Sequence, residues 1–254
     1  MTNRAGKLSM LAVLALGCMA FLQPGSLGAQ EYMDDFMFHQ PSATIHFNIG
    51  YGVPKVGSDL FDEVFDVYTL EKGDFHAAVF GAGVSFFLDE RLDLALEFSF
   101  DRSSTWSEYT DWVDDQDLPI EQETKFTRVP VTASIRYFLT DRGRAVGNLS
   151  WIPTTWAPYV GGGGGAIRYA FEQEGDFIDF DDFSIGPGYL DSNGWSWVGH
   201  VFGGVQWAVS PRWIVTAEGR YSLADADLDR TYYRGYEPID LSGFQATIGF
   251  GVRF

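Results

Sequence analysis

Between Ile45 and Phe254 the chain passes through eight stretches in which apolar residues recur at every second position. A period of two puts successive side chains on opposite faces of a strand, so each stretch has one apolar face and one other. In the first, Ile45, Phe47, Ile49, Tyr51 and Val53 oppose His46, Asn48, Gly50 and Gly52; in the second, Ala78, Phe80, Ala82, Val84, Phe86 and Leu88 oppose Ala77, Val79, Gly81, Gly83 and Ser85. The third sets Leu92, Leu94, Leu96, Phe98 and Phe100 against Asp93, Glu97 and Asp101, and the fourth sets Val129, Val131, Ala133, Ile135, Tyr137 and Leu139 against Arg128, Thr132, Ser134 and Arg136. The fifth, near residues 159–171, is glycine-rich, and its facing is ambiguous until Ile167, Tyr169 and Phe171. Trp195, Trp197, Val201, Val205 and Trp207 mark the sixth, Trp213, Val215, Ala217 and Tyr221 the seventh, and Phe244, Ala246, Ile248, Phe250, Val252 and Phe254 the eighth.

A soluble sandwich also alternates, so the connections must separate the two cases. Those after the odd stretches are long, near residues 54–73, 103–125, 172–194 and 224–241, whereas Asp89, Glu90 and Arg91, or Ser210, Pro211 and Arg212, suffice after the second and sixth. Only the connection at 140–156 breaks the pattern. Long loops at one end and tight turns at the other match outer-membrane barrels. The expected fold is all-β, an eight-stranded antiparallel up-and-down transmembrane β-barrel over residues 42–254, after a short periplasmic segment at 30–41. Both termini then lie at the short-turn end. Two aromatic girdles are expected, from Tyr51, Phe100, Tyr169, Trp195 and Tyr221 on the loop side and Phe86, Tyr137, Tyr159, Trp207, Trp213 and Phe254 on the turn side.

Residues 1–29 place Arg4 and Lys7 before an apolar run at 8–22 and a small-residue stretch ending at Ala29. That order reads as a secretory signal peptide cleaved after Ala29. The single cysteine, Cys18, lies within it, so no disulfide is expected downstream. With a formal charge of −18 the chain is not expected to bind nucleic acid, and 17% aromatic residues do not suit a disordered acidic chain.

At the carboxyl end, Phe254 follows Val252, Phe250 and Ile248 at every second position, like the recognition signal of outer-membrane proteins. With Tyr137 and Phe138, the run Pro158, Tyr159, Val160, Gly161, and Glu218, Gly219, Arg220, Tyr221, the chain resembles the small outer-membrane β-barrel superfamily of OmpA-like and opacity-type barrels. The resemblance implies insertion by the barrel-assembly machinery, guided by Phe250, Val252 and Phe254, into a bacterial outer membrane with long loops extracellular. It fixes no single activity, since one fold hosts many. No further domain is expected after the barrel.

The inward polar set comprises Asp93, Glu97, Asp101 and Glu218 against Arg128, Arg136, Arg168, Arg220 and Arg253. An eight-stranded barrel has an interior just filled by side chains, so these groups are expected to pair and close it. Strand direction puts Asp93 with Arg136 and Asp101 with Arg128. The glycine run at 161–165 precedes no Gly-Lys-Ser/Thr and implies close backbone approach instead of a phosphate loop. His39, His46, His76 and His200 lack metal-ligand spacing, and no Ser-His-acid arrangement on an outer surface is evident. Asp225, Asp227 and Asp229 share the first spacings of a calcium loop, although Arg230 stands where its glycine belongs, so they are a candidate divalent-cation site without being an EF-hand. The connections at 54–73, 103–125, 170–194 and 224–240 together hold 24 acids against five bases, a net −19 beside the −18 of the whole chain. Aromatics such as Phe61, Phe65, Trp106, Trp112, Phe177 and Phe183 interrupt those acids, so strands are expected to continue above the membrane and pack there. The expected function is a non-enzymatic structural or surface-interaction barrel without a cofactor, with lipid, lipopolysaccharide and possible divalent cations as partners. A narrow channel and, more remotely, a lipid-modifying enzyme stay open.

Overall fold

All eight alternating stretches are strands: β1 Ala43–Pro54, β2 Ala77–Asp89, β3 Leu92–Val113, β4 Pro119–Phe138, β5 Trp156–Ile178, β6 Ile185–Ala208, β7 Trp213–Leu223 and β8 Gly243–Arg253. The computed structural model describes residues 36–114, 116–147, 150–179 and 183–254. The expected signal peptide, Cys18 included, lies outside the described residues, as do Asp115, Asp181 and Asp182 of the acidic connections. Each strand pairs antiparallel with its neighbour in sequence, and β1 closes on β8 with Thr44 opposite Arg253 and Pro54 opposite Gly243. Closure leaves no unpaired edge in the ring. Phe254 completes it, its N–H bonding the Ala43 carbonyl at 2.8 Å and its carbonyl accepting the Ser42 N–H at 2.6 Å.

The apolar faces point outward. Phe47, Phe80, Phe98, Val131, Trp197, Ile248 and Phe250 are exposed, while His46, Asp93, Glu97, Arg128 and Arg136 are buried. Water-soluble folds do the reverse, so the outer wall is built for an apolar solvent.

Strand length divides the ring in two. β3 to β6 run for 22, 20, 23 and 24 residues, against 12, 13, 11 and 11 for β1, β2, β7 and β8. Crossing a bilayer at a tilt takes about 9–11 residues, so the four long strands rise well past the apolar belt as a wall. Much of 103–125 and 172–194, read above as connections, is therefore strand. There the buried Ser103, Ser107, Gln122 and Thr124 alternate with exposed Arg102, Ser104, Trp106 and Glu121; polar residues on both faces conceal the period.

The other connections fold onto the barrel ends. Within 54–73 a helix, α1 (Asp59–Val67), buries Leu60, Phe61 and Val64, which share one helical face, and keeps Asp59 and Asp62 in its first turn, where the helix dipole favours acids. Phe61 packs edge-on against Phe75, Phe126 and Phe171 at 5.2, 5.6 and 5.9 Å between ring centres. Residues 140–155 form a short ribbon, Gly143–Val146 paired with Ser150–Pro153, at the opposite end.

β5 settles the facing that its glycines concealed. Tyr159, Ile167, Tyr169 and Phe171 are buried inside, so Tyr159 and Tyr169 do not join the girdles. Arg168, placed above in the inward set, is exposed on the outer face between Val129 and Trp195 on the adjoining strands. The inner glycines make this possible: a Cβ on Gly163 would lie 2.1 Å from the Ala133 carbonyl, and one on Gly161 2.3 Å from the Phe202 ring.

Candidate functional site

The interior is the strongest concentration of chemistry in the chain. Glu97, half-way along the belt portion of β3, accepts from Arg220 Nη2 at 2.6 Å and Arg136 Nη2 at 3.4 Å, and lies 3.3 Å from His46 Nε2. Glu218 on β7 takes Arg220 at 2.8 Å, Arg136 at 3.6 Å and the Tyr159 hydroxyl at 3.0 Å. Two carboxylates thus share two guanidiniums. Arg136 also lies over the Tyr159 ring at 4.6 Å, and Arg220 over Phe202 at 5.0 Å, so the planar cations are packed as well as paired.

Above this hub Asp101 accepts from Arg128 Nε at 2.9 Å, and Arg128 Nη1 donates to the Leu241 carbonyl at 3.0 Å. Below it, the pairing expected for Asp93 is corrected. Asp93 does stand opposite Arg136 in the ladder, but its carboxylate bonds Arg142 Nη1 at 2.6 Å, a residue of the 140–156 connection. Arg142 also donates to the carbonyls of Glu90 and Asp89 and lies 3.8 Å over the Phe87 ring. Arg142 is the interior residue that sequence reasoning missed; it belongs to a connection, where alternation gives no facing. Arg253 is buried too, under the Trp151 ring at 5.2 Å, and donates to the Pro211 carbonyl. With Arg168 outside and Arg142 inside, four acids still face five arginines.

Both ends of this lumen are covered. At the tall end α1 and the segment 224–241 bury Val56, Phe61, Leu70, Leu228, Tyr233 and Ile239 with Phe126, Tyr169 and Phe171 in one apolar cluster. At the other end Arg142, Phe138 and Trp151 occupy the opening, and Met37 pairs with Trp151 through backbone bonds of 2.9 and 2.7 Å. Cavities of about 20 Å³, each enough for about one water, lie along the network.

The other candidates separate. Asp225, Asp227 and Asp229 are exposed while Ala226 and Leu228 between them, and Ala224 before them, are buried, so their spacing is that of an extended segment with its apolar side inward. Among the described residues no three acidic, histidine or cysteine side chains come together as a metal site, this trio included. Asp229 instead accepts the Thr231 N–H at 2.8 Å, a bond that holds its carboxyl below the usual range. His200 Nε2 lies 2.8 Å from Ser134 Oγ, but both are inside the lumen and His200 Nδ1 has no partner among the described residues.

No family model matches the chain, and no curated protein matches it. Solved structures do. Neisserial surface protein A is 14% identical, with a TM-score of 0.44 over 84% of this chain and 96% of its own. Ail, the attachment invasion locus protein of Yersinia pestis, is 15% identical, with a TM-score of 0.43 over 85% of this chain and 100% of its own. The outer membrane protease OmpT of Escherichia coli is 10% identical, with a TM-score of 0.42 over 88% of this chain and 99% of its own.

Proposed function

We propose that this chain is an integral outer-membrane barrel with a non-enzymatic, structural or surface-interaction role, displaying a wall instead of conducting solute. The observation that carries the reading is the double closure of the lumen. Ion pairs fill it at belt level, α1 covers the tall end and the 140–155 ribbon covers the short end. Continuous passage would require parting buried ion pairs, and removing one partner of such a pair costs about 3–5 kcal/mol.

The outward belt of Phe47, Phe80, Phe98, Val131, Ile248 and Phe250 suits lipid contact, with lipopolysaccharide as the outer neighbour. In this reading the tall end is extracellular, both termini are periplasmic, and Phe250, Val252 and Phe254 serve insertion by the barrel-assembly machinery. Ser134 and His200 sit where no lipid or peptide reaches them, which supports a non-catalytic assignment. On the wall, Trp106 and Phe183 are 66% and 62% exposed among acids, a composition suited to contact with a partner.

Single-channel recording of the refolded protein in planar bilayers tests the reading. No conductance steps are expected. Steady ohmic steps at moderate voltage would establish a pore and overturn it.

A further inference from the structure

The segment between β7 and β8 holds a feature that the barrel does not need. It leaves the barrel at Leu223, forms a two-residue ribbon in which Asp225 and Ala226 pair with Asp240 and Ile239, and returns at Gly243. Leu228 and Tyr233 anchor it in the apolar cluster under α1. Asp229 holds a tight reversal by accepting the N–H of Tyr233 at 3.0 Å on its carbonyl, and Gly235 takes a left-handed φ of 98° that favours glycine.

This folding leaves a cavity of about 540 Å³ lined by Asp227, Leu228, Arg230, Tyr233, Arg234 and Tyr236, within the size range of small-molecule sites. Its aromatic side is packed against the barrel and α1. Tyr233 and Tyr236 meet edge-on at 6.0 Å, Tyr233 packs on Phe171 at 6.1 Å, and the Tyr236 hydroxyl bonds the Glu63 carboxylate of α1. Arg230 and Arg234 are exposed and form no ion pair among the described residues, although acids abound on this end of the chain.

We infer that this cavity binds a sugar ring carrying a single carboxylate, through Arg230 and Arg234 on its acid and the half-buried Tyr236 on its ring, with Tyr233 buried behind it. A guanidinium presents a planar fork that matches a carboxylate with two parallel bonds. The Tyr236 ring gives a flat apolar face with a polar edge, which suits the mixed C–H and hydroxyl faces of a pyranose. Asp227 on the same wall limits the charge. Together with the acids around it, it opposes a polyanion more than a monoanion, and exposed charges beyond about 8–10 Å are screened at ordinary salt. The site stands on its own geometry, whether or not the lumen conducts.

Titration calorimetry of the full refolded chain in a neutral detergent, with glucuronate as probe and glucose as the uncharged control, tests this. Saturable glucuronate binding is expected, with glucose at least about tenfold weaker, because a hydrogen bond to a charged group contributes about 1.5–3 kcal/mol. R230Q/R234Q should weaken glucuronate by about tenfold or more, and D227N should strengthen it, since it removes a like charge. All three side chains are exposed, so barrel closure, checked by the mobility of unheated samples, should be unchanged. A glucuronate-capped lipid in detergent micelles separates the sources: competition with free glucuronate identifies a site that also reads membrane-borne sugar acids, and its absence confines the site to free ones. Equal affinities for glucose and glucuronate, no effect of R230Q/R234Q, or no binding at all would overturn the assignment.

Discussion

The Asp93 carboxylate, 2% exposed, takes Arg142 at 2.6 Å, while Arg136 across the ladder turns to Glu97 and Glu218. Arg142 reaches Asp93 with its other donors already placed on two carbonyls and its plane on Phe87, so little of it stays unsatisfied. A double-mutant cycle should therefore couple Asp93→Asn to Arg142→Met by about 1.5–3 kcal/mol in a folding titration, and more weakly to Arg136→Met, which stands opposite Asp93 without bonding it. Coupling to Arg136 alone would reverse the assignment. At the opposite end, burial acts to raise the Asp240 carboxyl, but bonds from Ser242 and from Lys55, whose ammonium lies 3.1 Å away, hold it below its ordinary range. A depressed carboxyl contributes stability above the ordinary carboxylate pKa of about 4 and loses it as pH falls through the lower folded value. Carboxyl titration by NMR in micelles should find the Asp240 midpoint below that of an ordinary exposed aspartate, and a normal or raised midpoint would refute the tie to Lys55 and Ser242.

At the scale of elements, α1 forms because three buried residues share a face and the barrel mouth offers them Phe126 and Phe171. Nine residues alone are too few for a stable helix in water, so tertiary packing holds this one. Phe61→Ala should cost about 3–5 kcal/mol locally, expose 55–76 to protease in detergent, and leave the barrel closed on unheated gels. Unchanged protection would mean that the helix is held by something other than its ring contacts. The spacing of Phe61, Phe65 and Tyr68 carries a helical signal, legible in sequence but weak beside the acids around it. In the upper halves of β3 and β4 alternation persists with polar residues on both faces. Hydropathy lost the strand where geometry kept it.

For the whole molecule, the connections at 54–73, 103–125, 170–194 and 224–240 carry a net −19, nearly the whole charge of the chain, and their carboxylates repel one another. Dispersed carboxylates respond to ionic strength, whereas a convergent cation site responds to the ion itself. Because Asp225, Asp227 and Asp229 point outward along an extended segment, millimolar calcium should protect the tall end from protease no more than sodium at matched ionic strength. Selective protection by calcium would mean that carboxylates from separate segments gather on binding.

What the residues determined alone was the ring: period two, outward apolar faces and alternating connection lengths specify strand number, pairing order and facing, because each is a local property of successive side chains. The Asp101–Arg128 pair was legible for the same reason, since register follows from strand direction. The facing of β5 was not, because glycine has no side chain to announce a face; only contact with β4 and Phe202 sets it. Nor was the closure of the two ends, which depends on where α1, Arg142 and the 224–241 segment land in space. Those contacts join residues up to a hundred or more positions apart, as when Arg128 bonds the Leu241 carbonyl, and no period along the chain records them. Tertiary packing alone decided that both ends of the barrel are covered.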